Sequence, residues 1–115
     1  MITICKREYR SDIIELNLTG EILIEIKENT FESLTNLRKL DLSSNQIKEI
    51  KEDAFKSLTG LQHLNLSNNQ IKEITFKSLT NLQKLHLFGN QITDANNYIK
   101  ISLNDLNIMQ YMVLR

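Results

Sequence analysis

The chain is 115 residues long, enough for one domain that buries a core. Its 14 Lys and Arg balance its 14 Asp and Glu, so it lacks the basic excess of a nucleic-acid or membrane-surface binder. No apolar run approaches the roughly 18 residues that span a bilayer. The opening MITICKREYR has no apolar stretch behind a basic end, so it is not expected to be a signal peptide. That leaves a chain that stays inside the cell, or a mature piece or fragment of a longer one. Cys5 is the sole cysteine, which excludes an internal disulfide. It reads as a small apolar residue in an N-terminal strand, with a partner disulfide or a reactive thiol as the alternatives. Residues 1–12 match nothing that follows and are expected to cap the first repeating unit with a short strand or loop.

From Ile13 the chain repeats itself. Leu37 to Ile50 reads LRKLDLSSNQIKEI, Leu61 to Ile74 reads LQHLNLSNNQIKEI, Leu82 to Ile92 reads LQKLHLFGNQI, and a fainter copy, IIELNLTGEIL, begins at Ile13. Counting from the first residue of each copy, apolar residues stand at steps 0, 3, 5 and 10, with Asn at step 8 in the three strong copies. This pattern, L-x-x-L-x-L-x-x-N-x-L, resembles the leucine-rich repeat family. The resemblance implies an α/β solenoid. Its chain would wind as a right-handed coil, with one short parallel strand per repeat on the concave face and short helical or extended segments on the convex side.

The repeats are expected at 13–36, 37–60, 61–81 and 82–105, with a partial fifth at 106–115. Glu21 takes the place of Asn in the first. The third is three residues short, since IKEIKEDAFKSLT becomes IKEITFKSLT. That deletion falls on the convex side, where loops tolerate it. Around each LxL, alternation predicts a strand of about three to five residues with leucines inward. The resemblance implies that Asn45, Asn69 and Asn90 form a ladder bonding backbone groups of adjoining turns. On the return side EDAFKSL predicts a short helical turn with Asp53 as N-cap, and Thr30 and Thr75 head the equivalent segments. Phe31, Phe55 and Phe76 are expected to stack behind the leucines. At that position repeat four offers Lys100 or Ile99.

The resemblance places partner binding on the concave face, whose outward columns follow from the register. Step 2 gives Glu15, Lys39, His63, Lys84 and Ile108; step 4 gives Asn17, Asp41, Asn65, His86 and Gln110; step 6 gives Thr19, Ser43, Ser67, Phe88 and Met112. The expected partner-binding set is Lys39, Asp41, His63, Asn65, Lys84, His86, Phe88 and Met112. Phe88 stands out, because the equivalent positions hold Ser43 and Ser67. It serves either as an aromatic anchor at an interface or as a ring covered by the next strand. His63 and His86 are offset diagonally on neighbouring strands, ~7–8 Å apart, so no metal site is expected. Asn17-Leu-Thr and Asn65-Leu-Ser are possible glycosylation sequons if the protein is secreted, although the repeat consensus alone generates the same letters.

No Gly-rich phosphate loop and no HExxH, CxxC or GxSxG motif occurs, so neither an enzyme nor a cofactor is expected. The main expectation is a non-catalytic module that binds another protein, less often a glycan or lipid, and neither nucleic acid nor the membrane interior. The alternative is a structural unit that self-associates or continues a longer solenoid through the apolar C-terminal edge around Ile108, Met112 and Val113. The return motif looks most like receptor ectodomains, matrix proteoglycans and jawless-fish variable lymphocyte receptors. Cytoplasmic and microbial proteins use near variants, so the compartment stays open.

Overall fold

A computed structural model describes residues 2–51, 53–76, 79, 81–91, 99–101 and 112–114, with the strands at 74–76, 99–101 and 112–114 described through their backbone. One short strand per repeat forms a five-stranded parallel sheet: β3 (Glu15–Asn17), β5 (Lys39–Asp41), β7 (His63–Asn65), β9 (Lys84–Leu87) and β11 (Met112–Leu114) lie side by side in chain order. Leu16, Leu40, Leu64 and Leu85 are in register across four strands and all are buried. The alternation expected from LxL therefore holds, with leucines inward and the residues between them outward.

The return side is extended and turn-like. Strands β4 (Glu25–Ile26) and β6 (Glu49–Ile50) pair in parallel, as do β8 (Ile74–Phe76) and β10 (Ile99–Ile101). No helix occurs among the described residues. The expected helical turn around Asp53 is instead a run of turns closed by short-range bonds, from Ala54 N–H to Lys51 C=O, Lys56 N–H to Asp53 C=O and Leu58 N–H to Phe55 C=O. The run of turns at 53–57 is five residues long, too short to repeat an α-helical bond. Thr75 lies in β8, where the deletion in repeat three leaves no room for the turn that precedes Phe55. Phe31 and Phe55 stack with ring centroids 5.9 Å apart at 17°. The ring of Phe76 lies outside the described side chains, and the backbone register pairs Phe76 with Ile101, not with Lys100 or Ile99.

The N-terminal segment is a two-stranded antiparallel hairpin, β1 (Ile2–Ile4) and β2 (Arg7–Tyr9). Its turn places Cys5 and Lys6 at φ 52° and 65°, the backbone of a tight hairpin that usually calls for Asn or Gly. Ile4 is buried, and Ile2, Cys5 and Tyr9 pack against the core. Burial and the nearby Glu21 raise the Cys5 thiol above its ordinary value, against a smaller opposing effect of Arg7. That disfavours the reactive thiolate. Arg7 reaches Glu21 at 3.1 Å, so the residue in the Asn slot of repeat one is paired to the hairpin.

Between repeats, side-chain amides join the turns. Asn69 Nδ2 donates to the carbonyls of Leu42, Leu66 and Ser67 at 3.0–3.2 Å, and its Oδ1 accepts from Ile47 N–H at 3.0 Å. Asn45 repeats this with Leu18, Leu42, Ser43 and Leu23. Asn90 bonds Leu66, Leu87 and Ile71. The cross-repeat bonds of Asn45 and Asn69 span 27 and 22 residues, whereas those of Asn90 span 24 and 19. Each is shorter by three, the size of the deletion in repeat three. The missing residues thus leave the ladder intact.

One residue before each Asn, and before Glu21 in repeat one, the backbone turns left-handed: Gly20 (φ 71°), Ser44 (56°), Asn68 (56°) and Gly89 (75°). Gly and Asn tolerate this conformation, but serine carries a Cβ penalty of roughly 1–2 kcal/mol. At Gly89 a Cβ would also press on the Cα of Asn68, at 3.3 Å. Ser44→Gly is therefore expected to stabilise the protein by up to about 1 kcal/mol, after the added chain entropy of glycine. Asn69→Ala, which leaves the Ile47 N–H and its share of three carbonyls unpartnered, is expected to cost about 1–3 kcal/mol. Urea unfolding midpoints check both, and a neutral Asn69→Ala would remove the ladder's structural role.

Candidate functional site

The outward positions of the sheet form two columns in register. One runs Glu15, Lys39, His63, Lys84, and the other Asn17, Asp41, Asn65, His86. All of these residues except Lys84 line a shallow basin of about 490 Å³, with Lys39, Asp41, His63, Asn65 and His86 on its walls. Glu15 Oε1 stands 3.7 Å from Lys39 Nζ, and both side chains are exposed, so the pair contributes little to stability.

The second column is less available than the sequence implies. Asp41 Oδ1 accepts from the Ser43 N–H at 2.9 Å and from its Oγ at 2.6 Å. Asn65 Oδ1 accepts from the N–H and Oγ of Ser67 at 3.0 and 2.6 Å, and Asn17 Oδ1 accepts from Thr19 N–H at 2.9 Å. An Asx side chain closing a turn two residues on is a local alternative to the strand ladder, and it ends β3, β5 and β7 after three residues. The Asn/Asp-Leu-Ser/Thr spacing that produces the sequons at Asn17 and Asn65 is thus also the signature of this turn. Asn17 is exposed, while Asn65 is half-buried.

Repeat four replaces both members of the turn pair, with His86 in the Asx position and Phe88 in the hydroxyl position. Strand β9 runs four residues instead of three. The Phe88 side chain is 50 % exposed, and its backbone carbonyl still accepts from Asn68 N–H at 2.7 Å. The sheet continues at β11 with a register that differs from the repeat count. Met112 pairs with Leu85, Val113 with His86 and Leu114 with Leu87. Position 112 therefore falls in the Leu40–Leu64–Leu85 column and not beside Phe88, and the residue aligned with His86 is Val113 instead of Gln110. Ile108 and Gln110 lie outside the described residues, as do the side chains at 112–114.

His63 is pushed below the ordinary imidazole range, chiefly by burial and then by Lys39, Lys84 and His86. Among the described residues Lys84 makes no ion pair, and no three His, Cys, Asp or Glu side chains converge as metal ligands. A histidine whose folded-state pKa lies below its unfolded value binds fewer protons when folded, so stability falls as pH drops through that window. Denaturation followed from neutral pH to below about pH 6 is expected to show this acid loss, and His63→Gln is expected to flatten it. An unchanged slope in the variant would place the sensitivity elsewhere.

Comparison with known proteins agrees with the geometry. A family model described as leucine rich repeat matches residues 12–71 and again 35–92, together most of the chain. A search of curated proteins finds no match. Domains of this family generally mediate protein–protein interaction and are generally non-enzymatic. With its leucine columns in register, its Asn ladder and these two overlapping matches, the chain belongs to the leucine-rich repeat family.

Proposed function

We propose that the chain coils as a right-handed solenoid and serves as a non-catalytic recognition module. In this reading its concave sheet face holds another protein, with Lys84, His86 and Phe88 at the centre and Lys39 and His63 beside them. The observation that carries it is the double replacement in repeat four. Where three other repeats hold an Asx side chain bonded to a Ser or Thr, this one holds an imidazole and a half-exposed phenyl ring. Both changes give up local turn bonds, and both supply groups suited to contacts with another molecule. A large, rigid aromatic ringed by polar groups is the usual centre of a protein interface.

The dimensions fit such a partner. Four strands at ~4.8 Å spacing span about 14 Å, wide enough for one extended segment or for a helix of ~10–12 Å diameter. Asp41 and Asn65 sit at the edge of this area and present the atoms that their turns leave free. They act as secondary contacts.

The test is affinity capture with the wild type and with Phe88→Ala plus His86→Ala, alongside thermal melts. Truncating two central contacts is expected to weaken the captured partners by about tenfold or more, with little change in melting temperature because both side chains face outward. Partners that survive the double change would put the site on another surface.

A further inference from the structure

Charge on the open face is sorted along the strand order. Both carboxylates lie on the first two strands, where Glu15 faces Lys39 and Asp41 commits an oxygen to Ser43. On β7 and β9 the outward positions carry His63, Asn65, Lys84 and His86, with no carboxylate. Lys39, His63 and Lys84 are direct neighbours in one row, so the two ammonium stems flank the imidazole from strands ~5 Å away on either side. Like charges are brought together here with no acid among the described residues to balance Lys84. A folded protein tolerates such a cluster at a cost, and a ligand of opposite sign removes it.

The geometry points to an acidic segment of a protein partner as the occupant: a carboxylate seated over His63 between Lys39 and Lys84, with an apolar side chain against Phe88. This rests on the reading of the sheet face as a protein-binding surface. Phe88 lies four residues beyond Lys84 on the same face, roughly 13 Å along the chain, so an extended segment would carry its acidic and apolar residues about four positions apart. A nucleic-acid strand fits less well, since its closely spaced phosphates would fall against Glu15 and Asp41 as well as on the basic row.

Proton uptake follows from the same arrangement. The charged and titratable groups facing His63 are Lys39 and Asp41 from β5 and Lys84 and His86 from β9; its own strand offers only the neutral Asn65. Burial and the cations hold His63 below its usual value in the free protein. A carboxylate placed over the ring acts the other way, so binding takes up protons. Affinity then rises as pH falls from the bound-state pKa to the free-state one, by at most about tenfold per pH unit, and is flat outside that window.

The test is selection from a displayed random-peptide library on the intact chain at roughly pH 6 and pH 7.5, followed by affinity measurement on the enriched peptides. Supporting results are enrichment of Asp and Glu, about threefold or more tighter binding at the lower pH, loss of binding on Lys84→Ser, and loss of the pH dependence alone on His63→Gln. Melting curves of both variants confirm that they fold. Enriched peptides without acidic residues that are still lost on Phe88→Ala plus His86→Ala would overturn the acidic occupant and leave the recognition face standing. Peptides that survive that double change would overturn the face itself. A library that yields no binder, or heparin bound more tightly than any selected peptide, would also overturn the acidic segment as the occupant.

Discussion

The amide of one asparagine per turn is the contact on which the rest of the structure depends. A strand of three residues satisfies few backbone groups, and the chain then leaves the sheet through a turn packed against the next repeat. There backbone bonds between repeats continue, as from Ser44 N–H to Ser67 C=O and from Gln46 N–H to Leu23 C=O, and the groups between them, such as Leu23 N–H and Ile47 N–H, bond to asparagine side chains. Asn45, Asn69 and Asn90 each meet this need with two donors and an acceptor on one short side chain, bonding their own turn and the preceding one. Among the described residues no buried side-chain nitrogen or oxygen lacks a partner. Because the bonds cross from repeat to repeat, they fix the stacking distance at which the leucine columns and the Phe31–Phe55 pair close-pack.

Such a ladder needs a beginning. Repeat one follows the N-terminal hairpin, and Glu21, in the slot that asparagine holds elsewhere, pairs with Arg7 of that hairpin. The hairpin then covers the apolar edge with Ile4, Ile2 and Tyr9. The three-residue deletion in repeat three shortens the return path between the strands of the main sheet. The amide bonds of Asn90 keep their partners, and the return segment becomes the strand at Ile74–Phe76. The return segments can vary because the spacing is set on the sheet side.

The same turn chemistry decides which surface residues are free to act. Three repeats spend their outward Asx oxygen on a nearby N–H, which makes those positions structural first and available for contact second. The fourth drops the device and leaves a half-buried His86 and a half-exposed Phe88 on the open face, beside His63, whose protonation is depressed by burial and then by the neighbouring lysines. In the proposed reading, recognition on this face gathers where the repeat pattern is broken, since there the side chains are released from holding the turn together.

The spacing of leucines and asparagines in the chain was enough to determine the repeat, the inward and outward faces, the register of β3 to β9 and the anomaly at Phe88. Each of these follows from a periodicity of two along a strand and from near-identical copies that must stack alike. Tertiary structure alone decided four other points. Asx turns occupy Asp41 and Asn65, which the letters did not announce, since Asn-Leu-Ser at 65–67 reads equally as a sequon. Cys5 and Lys6 form a tight hairpin turn with neither Asn nor Gly to announce it, since packing of Ile4 and Tyr9 on the first repeat overrides local preference. The return segments stay extended or turn-like because neighbouring repeats offer them parallel pairing that a segment read alone does not have. The last strand pairs through Met112 instead of by the repeat count, because where consensus spacing lapses, contact with the neighbouring strand sets the register.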